Sequence, residues 1–215
     1  MNYMELIEQR HSVRQYKDKM IEVEKRKELD SLCRFINKKA QMNIQILYDE
    51  PTCFDNILAH YGKFSGVKNY IALVGPKSKD LDEKAGYYGE MLVLKAQELG
   101  LNTCWVALTH GKSKAKVNRN EKQVLVIALG YGEHQGISHK SKKIDVDNNE
   151  PQWYLDGIKA AYLAPTAMNQ QKFIIQKKNN EVSIVAKKGM YTKVDLGIVK
   201  YHFEVVSKHE VRNAI

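Results

Sequence analysis

Residues 80–99 carry the strongest helix pattern in the chain, and their surroundings require a fold that mixes helices with strands. Ala85, Tyr88, Gly89, Leu92, Ala96 and Leu99 make one apolar stripe, and Met91, Val93 and Leu94 widen it. The helix is therefore expected to be central and buried over much of its circumference. Gly100 follows as a left-handed cap. Gly86 and Gly89 weaken the helix but suit close approach of a neighbouring helix or a partner subunit. Before it, Tyr70–Val74 is an apolar run closed by Gly75-Pro76, which reads as a buried strand. After it, Gly100–Leu108 turns straight into another strand. Val124–Leu129, ending in Gly130-Tyr131-Gly132, reads as a central one.

The remaining segments fit around this frame. Residues 22–40 read as an amphipathic packing helix with Leu29, Leu32, Cys33 and Ile36 on one face. Met42–Tyr48 alternates like a half-buried strand. Residues 49–69 show no regular pattern; Gly62, Ser65 and Gly66 suggest a loop near Phe64, and His60 and Tyr61 read as surface residues, with a position facing a ligand as the alternative. Asp145–Pro151 reads as a surface connection. Trp153–Leu163 reads as a helix with Trp153, Ile158 and Ala161 or Tyr162 inward, stopped by Pro165. Phe173–Gln176 and Val182–Ala186 flank Asn179-Asn180 as a hairpin. Thr192 and Asp195 suggest a cap for a last helix carrying Leu196, Val199, Phe203 and Val206. Lys208–Ile215 is expected to be an exposed tail.

A chain of 215 residues holds one domain or two small ones and can bury a substantial core. No apolar run reaches the length of a membrane span. Glu5, Glu8 and Arg10 stand where a secretory leader would have its apolar centre, so a cytoplasmic protein is expected. Cys33, Cys53 and Cys104 are an odd set that suits a reducing compartment, and Cys104 reads as a small buried hydrophobe. The cysteines and seven histidines show no zinc-ligand spacing, so no metal is expected. A net charge of +9 permits anionic partners. The lysines are scattered in small clusters without stacking aromatics, so nucleic-acid binding is the lesser alternative.

One short stretch points to a ligand. Gln9–Tyr16 follows a helix signal in which Asn2 is the N-cap and Glu5 stands three residues on. Arg10 and Arg14 can close a fork around one phosphate, with Ser12 adding a hydrogen bond. On spacing alone, a solvated helix end with two surface arginines serves as well. Arg10-His11-Ser12-Val13-Arg14-Gln15-Tyr16-Lys17-Asp18 resembles the opening of the nitroreductase family of FMN flavoproteins. There an Arg-x-Ser-x-Arg-x-(Phe/Tyr) segment holds the flavin's phosphate and ribityl chain. By that resemblance Arg10, His11, Ser12 and Arg14 bind the cofactor.

Ala164-Pro165-Thr166-Ala167-Met168-Asn169-Gln170-Gln171 carries the same resemblance, to the family's Ala-Pro-(Ser/Thr)-x-x-Asn-x-Gln loop. The resemblance implies that Pro165, Thr166, Ala167 and Asn169 border the flavin ring, in the family usually from the other subunit of a dimer. Asn and Thr side chains suit the donors and acceptors of the pyrimidine edge. Unaided, the stretch is an ordinary turn. The family's Pro-Trp after the glutamine is replaced by Lys172-Phe173. The loop also stands in the C-terminal half, as in a subgroup that resembles the TM nitroreductases. Where most of the family has it, this chain has Ala40–Gln45, a faint echo that suggests an internal duplication. Trp105, Val106, Ala107 and Leu108 match the strand edge passing near flavin N5, although the family's proline and Glu-Gly pair are missing; Trp105 serves equally as core. Lys140 and Lys142 match a basic pair near the phosphate, where a solvated loop is the plainer reading.

The resemblance implies one α+β domain over residues 1–215, with a mixed or antiparallel central sheet flanked by helices. It implies FMN as cofactor, NADH or NADPH as electron donor, and a homodimer with flavin at the subunit interface. The reaction would be two-step, ping-pong hydride transfer to a nitroaromatic or quinone-type acceptor. The flavin would carry the chemistry, so no catalytic side chain is assigned. Two other functions compete: a flavin-binding protein for storage or sensing without turnover, and a basic nucleic-acid-binding protein. No Rossmann Gly-rich loop is present, which disfavours a tightly held dinucleotide.

Overall fold

A computed structural model describes residues 2–138, 140–142, 146–147 and 149–212. Its elements are α1 (Tyr3–Gln9), α2 (Val23–Ala40), β1 (Gln45–Leu47), α3 (Ile57–Tyr61), β2 (Asn69–Pro76), α4 (Leu81–Glu98), β3 (Asn102–Val106) and β4 (Glu121–Gly130). Then come α5 (Gln152–Tyr162), a 3-10 turn (Ala167–Asn169), β5 (Phe173–Lys178), β6 (Glu181–Ala186), α6 (Thr192–Ser207) and β7 (Val211–Arg212). The α+β class is the expected one. The described residues gather into two compact units. A sheet unit draws on Arg10–Leu81 and Leu92–Ile137, and a helical unit on Met1–Gln9, Asp82–Met91 and Ser138–Ile215.

In the sheet unit four strands lie in the order β1-β2-β4-β3, each neighbouring pair antiparallel. Side chains alternate across a strand. Tyr70, Ala72, Val74, Val126, Ala128, Cys104 and Val106 thus share a core with Val13, Tyr16, Phe54 and Phe64. Ile71, Leu73, Ile127 and Leu129 fall at the intervening positions and are fully buried too. Burial on both faces explains why β2 and β4 read as continuous apolar runs. β1 is shorter than its alternation suggested. Asn43 N still donates to Val74 O at 2.9 Å, and the Asn37 side chain takes both backbone groups of Ile44, donating to its O at 2.8 Å and accepting from its N at 2.8 Å. Residues 49–69 contain the short α3, capped by Asn56, with Tyr61 exposed and Phe64 buried.

In the helical unit α1 starts with the expected capping box. Asn2 Oδ1 accepts from Glu5 N at 2.8 Å and Glu5 Oε2 accepts from Asn2 N at 3.1 Å. The first half of α4 and α6 meet backbone to backbone. A Cβ at Gly86 would lie 2.0 Å from Val194 O, and one at Gly197 the same distance from Glu83 O. The glycine that weakens α4 is thus what lets α6 close on it. Tyr154 of α5 faces Phe203, at 6.1 Å between ring centroids. Trp153, expected inward, is instead half-buried and stacks on His209. The hairpin at Asn179 forms as expected. The expected tail is not wholly free: Val211 and Arg212 pair in parallel with β6.

One further expectation fails. Thr192 and Asp195 do not cap α6: the N-cap is Tyr191, and Thr192 Oγ1 donates to Gly189 O at 3.2 Å. The suggested duplication is not shown, since Ala40–Gln45 runs from α2 into β1 whereas Ala167–Gln171 forms a 3-10 turn. Asp145 and Asn148 of the expected connection and residues 213–215 of the tail lie outside the described residues. Among the described residues no helix is long and apolar enough to cross a membrane.

Candidate functional site

The Arg10–Tyr16 segment of the sheet unit is extended and held through its backbone. Ser12 pairs in parallel with Thr103 of β3, and Val13 N donates to Thr103 O at 3.0 Å. Tyr16 N donates to Ser65 O at 3.0 Å, and Ser65 N returns a bond of 3.0 Å to Arg14 O. Glu133 N donates to Gln15 O and Lys17 N to Tyr131 O. The close approach at Tyr16 requires Gly66: its φ is +68°, and a Cβ there would lie 2.1 Å from Tyr16 O.

This pinning orders the side chains. Val13 and Tyr16 enter the core, Arg10 is buried, His11 and Ser12 are half-buried, and Arg14 is exposed with its guanidinium 5.8 Å from the Phe64 ring centroid. The Cys104 thiol reports the field they make. Burial pushes its pKa up, while the Arg14 charge, a hydrogen bond with Ser12 and the Arg10 charge pull it down. Of the expected strand edge, Trp105 and Val106 belong to β3, half-buried and buried respectively. Ala107 and Leu108 lie past its end, because pairing with β4 stops at Val106, and Leu108 is exposed.

The helical unit brings the other predicted residues together. Pro165 lacks an N–H and follows the end of α5 at Tyr162. The turn beyond it has three non-glycine residues in the left-handed region: Met168 at φ 51°, Asn169 at 51° and Gln171 at 46°. Side chains fasten it. Thr166 Oγ1 accepts from Gln171 N at 3.1 Å, and Gln171 Nε2 donates to Tyr162 O at 2.9 Å. Lys142 N donates to Gln171 Oε1 at 2.8 Å, and Lys142 Nζ donates to Gln170 O at 2.6 Å. Asn169 Nδ2 donates to Lys140 O at 2.9 Å. Lys140, Lys142, Pro165, Thr166, Ala167 and Asn169 thus form one cluster, with the Lys142 ammonium on loop carbonyls.

The sequence reading missed Asp195, Gln170 and the structural part played by Gln171. The buried Asp195 carboxylate accepts from Ala167 N at 2.8 Å and from Gln170 Nε2 at 2.7 Å. Burial raises its pKa, and the same two donors hold it down. Thr192–Asp195 spacing resembled a cap, and no local signal connects Asp195 to a loop 28 residues earlier.

The basic, hydroxyl-bearing segment is thus pinned to the sheet edge at β3, and the Pro-Thr loop follows α5. Residues 2–207 match the family described as "Putative TM nitroreductase". The chain belongs to that family. A crystal structure of a "putative nitroreductase" from Thermotoga maritima is similar at 26% identity and TM-score 0.71, covering 96% of this chain and 83% of that one. A "Putative NADH dehydrogenase/NAD(P)H nitroreductase" from Parabacteroides distasonis is 20% identical with TM-score 0.50, covering 70% and 97% of the two chains. A nitroreductase family protein from Streptococcus pneumoniae is 14% identical with TM-score 0.51, covering 70% and 100%. The last two show the fold alone. No curated protein matches the sequence.

Proposed function

We propose that this protein is a single-domain, FMN-dependent NAD(P)H oxidoreductase that works as a cytoplasmic homodimer on nitroaromatic or quinone-type acceptors. The observation that carries this reading is the pairing of Ser12 with Thr103. It sets the segment expected to grip the phosphate alongside the strand expected to run past the ring.

The donor set fits such a cofactor. Arg10 and Arg14 offer planar guanidinium forks suited to phosphate oxygens, and Ser12 adds a hydroxyl. Thr166 accepts from Gln171 N and still has its own proton to donate. Asn169 donates to Lys140 O and keeps its carboxamide oxygen as an acceptor. In the sheet unit the family resemblance assigns His11 to the phosphate end and Trp105, Val106, Ala107 and Leu108 to the ring, and in the helical unit it assigns Lys140 and Lys142 to the phosphate. Bound FMN supplies hydride uptake from NADH or NADPH and hydride delivery to the acceptor in two half-reactions. The side chains orient it, stabilise negative charge and exclude water.

The test is an absorption spectrum of the purified protein, followed by NADH and NADPH oxidation with and without a quinone. Flavin peaks, FMN released on heating and quinone-dependent turnover are expected. Flavin without turnover would favour storage or sensing. A colourless protein that binds nucleic acid in a salt-dependent way would overturn the proposal.

A further inference from the structure

The loop assigned to the flavin ring is strained, and its brace comes from a residue that no cofactor motif includes. Met168, Asn169 and Gln171 all have φ between 46° and 51°, a region that residues with a Cβ adopt rarely. Such conformations persist where the surroundings over-determine them. Here the Asp195 carboxylate spans the turn. One oxygen takes Ala167 N–H at its start, and the other takes the Gln170 side chain near its end. Gln170 Nε2 also donates to Met190 O at 2.8 Å, which ties the loop to the entrance of α6.

Asp195 is well placed for this. It lies in the first turn of α6, where the helix end favours negative charge. Two residues later Gly197 locks the same helix against α4, so the carboxylate stands on a rigid support. A buried carboxylate is costly unless hydrogen-bonded, and both of its oxygens are.

We propose that Asp195 is a positioning residue for the cofactor loop: its carboxylate fixes the Pro165–Gln171 turn in the shape that presents Thr166 and Asn169 to the flavin ring edge. This rests on the FMN reading above. Removing the carboxylate leaves every ring-contacting group in place but lets the left-handed turn relax. Asparagine restores part of the brace, because its Oδ1 accepts from Ala167 N and the Gln170 amide can rotate to accept from its NH2.

The test uses the full chain with Asp195→Ala, Asp195→Asn and Gln170→Ala, each free of cofactor and titrated with FMN. Amide exchange over residues 164–172 reads the brace, and flavin fluorescence reads FMN Kd. In Asp195→Ala, exchange in that peptide should quicken at least about tenfold, the scale of one charge-assisted hydrogen bond. FMN Kd should rise by a similar factor, with Asp195→Asn and Gln170→Ala in between and exchange in β2 and β4 unchanged. Should Asp195→Ala fail to fold, Gln170→Ala carries the test, since it removes one arm of the brace without altering α6. Unchanged exchange in the variants overturns the proposal, and so does quickened exchange with unaltered FMN Kd. If the unaltered protein takes up no FMN, the functional reading falls and the cofactor role of Asp195 with it. The exchange data would then still show whether the brace exists.

Discussion

The two predicted binding segments are built in opposite ways. Arg10–Tyr16 is pinned by main-chain bonds to Thr103, Ser65 and Glu133, and the next residue, Lys17, is bonded to Tyr131. Its exposed Arg14 therefore adds little to holding the segment in place. The Pro165–Gln171 turn is fastened by the side chains of Asp195, Gln170, Gln171, Thr166, Lys142 and Asn169. A backbone-held segment can change its side chains and keep its path, whereas a side-chain-held loop cannot. Side-chain substitutions within Arg10–Tyr16 that point outward should thus affect binding with little loss of stability, and those in the Pro165–Gln171 turn should mix the two.

The largest effect is expected where side chains bear the most. His202 is fully buried in the helical unit, with Nε2 2.9 Å from Glu90 Oε1 and Nδ1 3.0 Å from Ala160 O. His202→Phe takes the imidazole from the buried Glu90. The stability loss should be on the order of 3 kcal/mol, read from urea unfolding. A midpoint within error of the unaltered protein would mean that this network does not hold the helices. Next comes the backbone of the sheet unit. Gly66→Ala sets a Cβ against Tyr16 O at φ +68°. It should cost about 1–3 kcal/mol and weaken FMN retention, although no proposed ligand-binding side chain is altered. Normal flavin content in that variant would break the link between main-chain pinning and binding.

The same contrast decides what was legible in the sequence. The capping box at Asn2, the hairpin at Asn179, the strands β2 and β4 and the glycine of α4 are local patterns. Each was readable because neighbouring residues decide it. The arginine segment was readable from its order of residue types, although its partner Thr103 was not. Asp195 was misread because the cap it resembles uses local spacing, whereas its real donors lie 25 and 28 residues away. Trp153 was misplaced for a related reason: Tyr154 meets Phe203 of α6, a contact that α5's own periodicity does not contain.

Arg14→Ala should separate the two kinds of effect. The side chain is exposed, and its contact with Phe64 is a 5.8 Å cation–π approach. Unfolding should shift by no more than about 0.5 kcal/mol. FMN binding should weaken by roughly tenfold or more through loss of a charged phosphate contact. Flavin content equal to that of the unaltered chain would remove Arg14 from the site.

The smallest effect is a divergence with pH. Burial raises the Asp195 pKa above the usual 3.8, against the pull of Ala167 N–H and the Gln170 amide. A carboxyl raised on folding holds its proton more tightly in the folded chain than in the unfolded one. Its contribution to stability is therefore greatest in acid and falls as pH climbs through 3.8 to the raised folded value. Loop order should follow the opposite sign. Protonation removes the charge from the acceptor and turns one of its oxygens into a donor, so the charge-assisted bonds that Ala167 N–H and the Gln170 amide make to it weaken. Acidification should thus quicken amide exchange in residues 164–172, corrected for intrinsic rates, without a matching loss from this group in global stability. The Val13 and Tyr16 amides, held by main-chain carbonyls, should show no such divergence. In Asp195→Asn both trends should disappear, because the amide does not titrate. A loop that still follows pH in that variant answers to some other group.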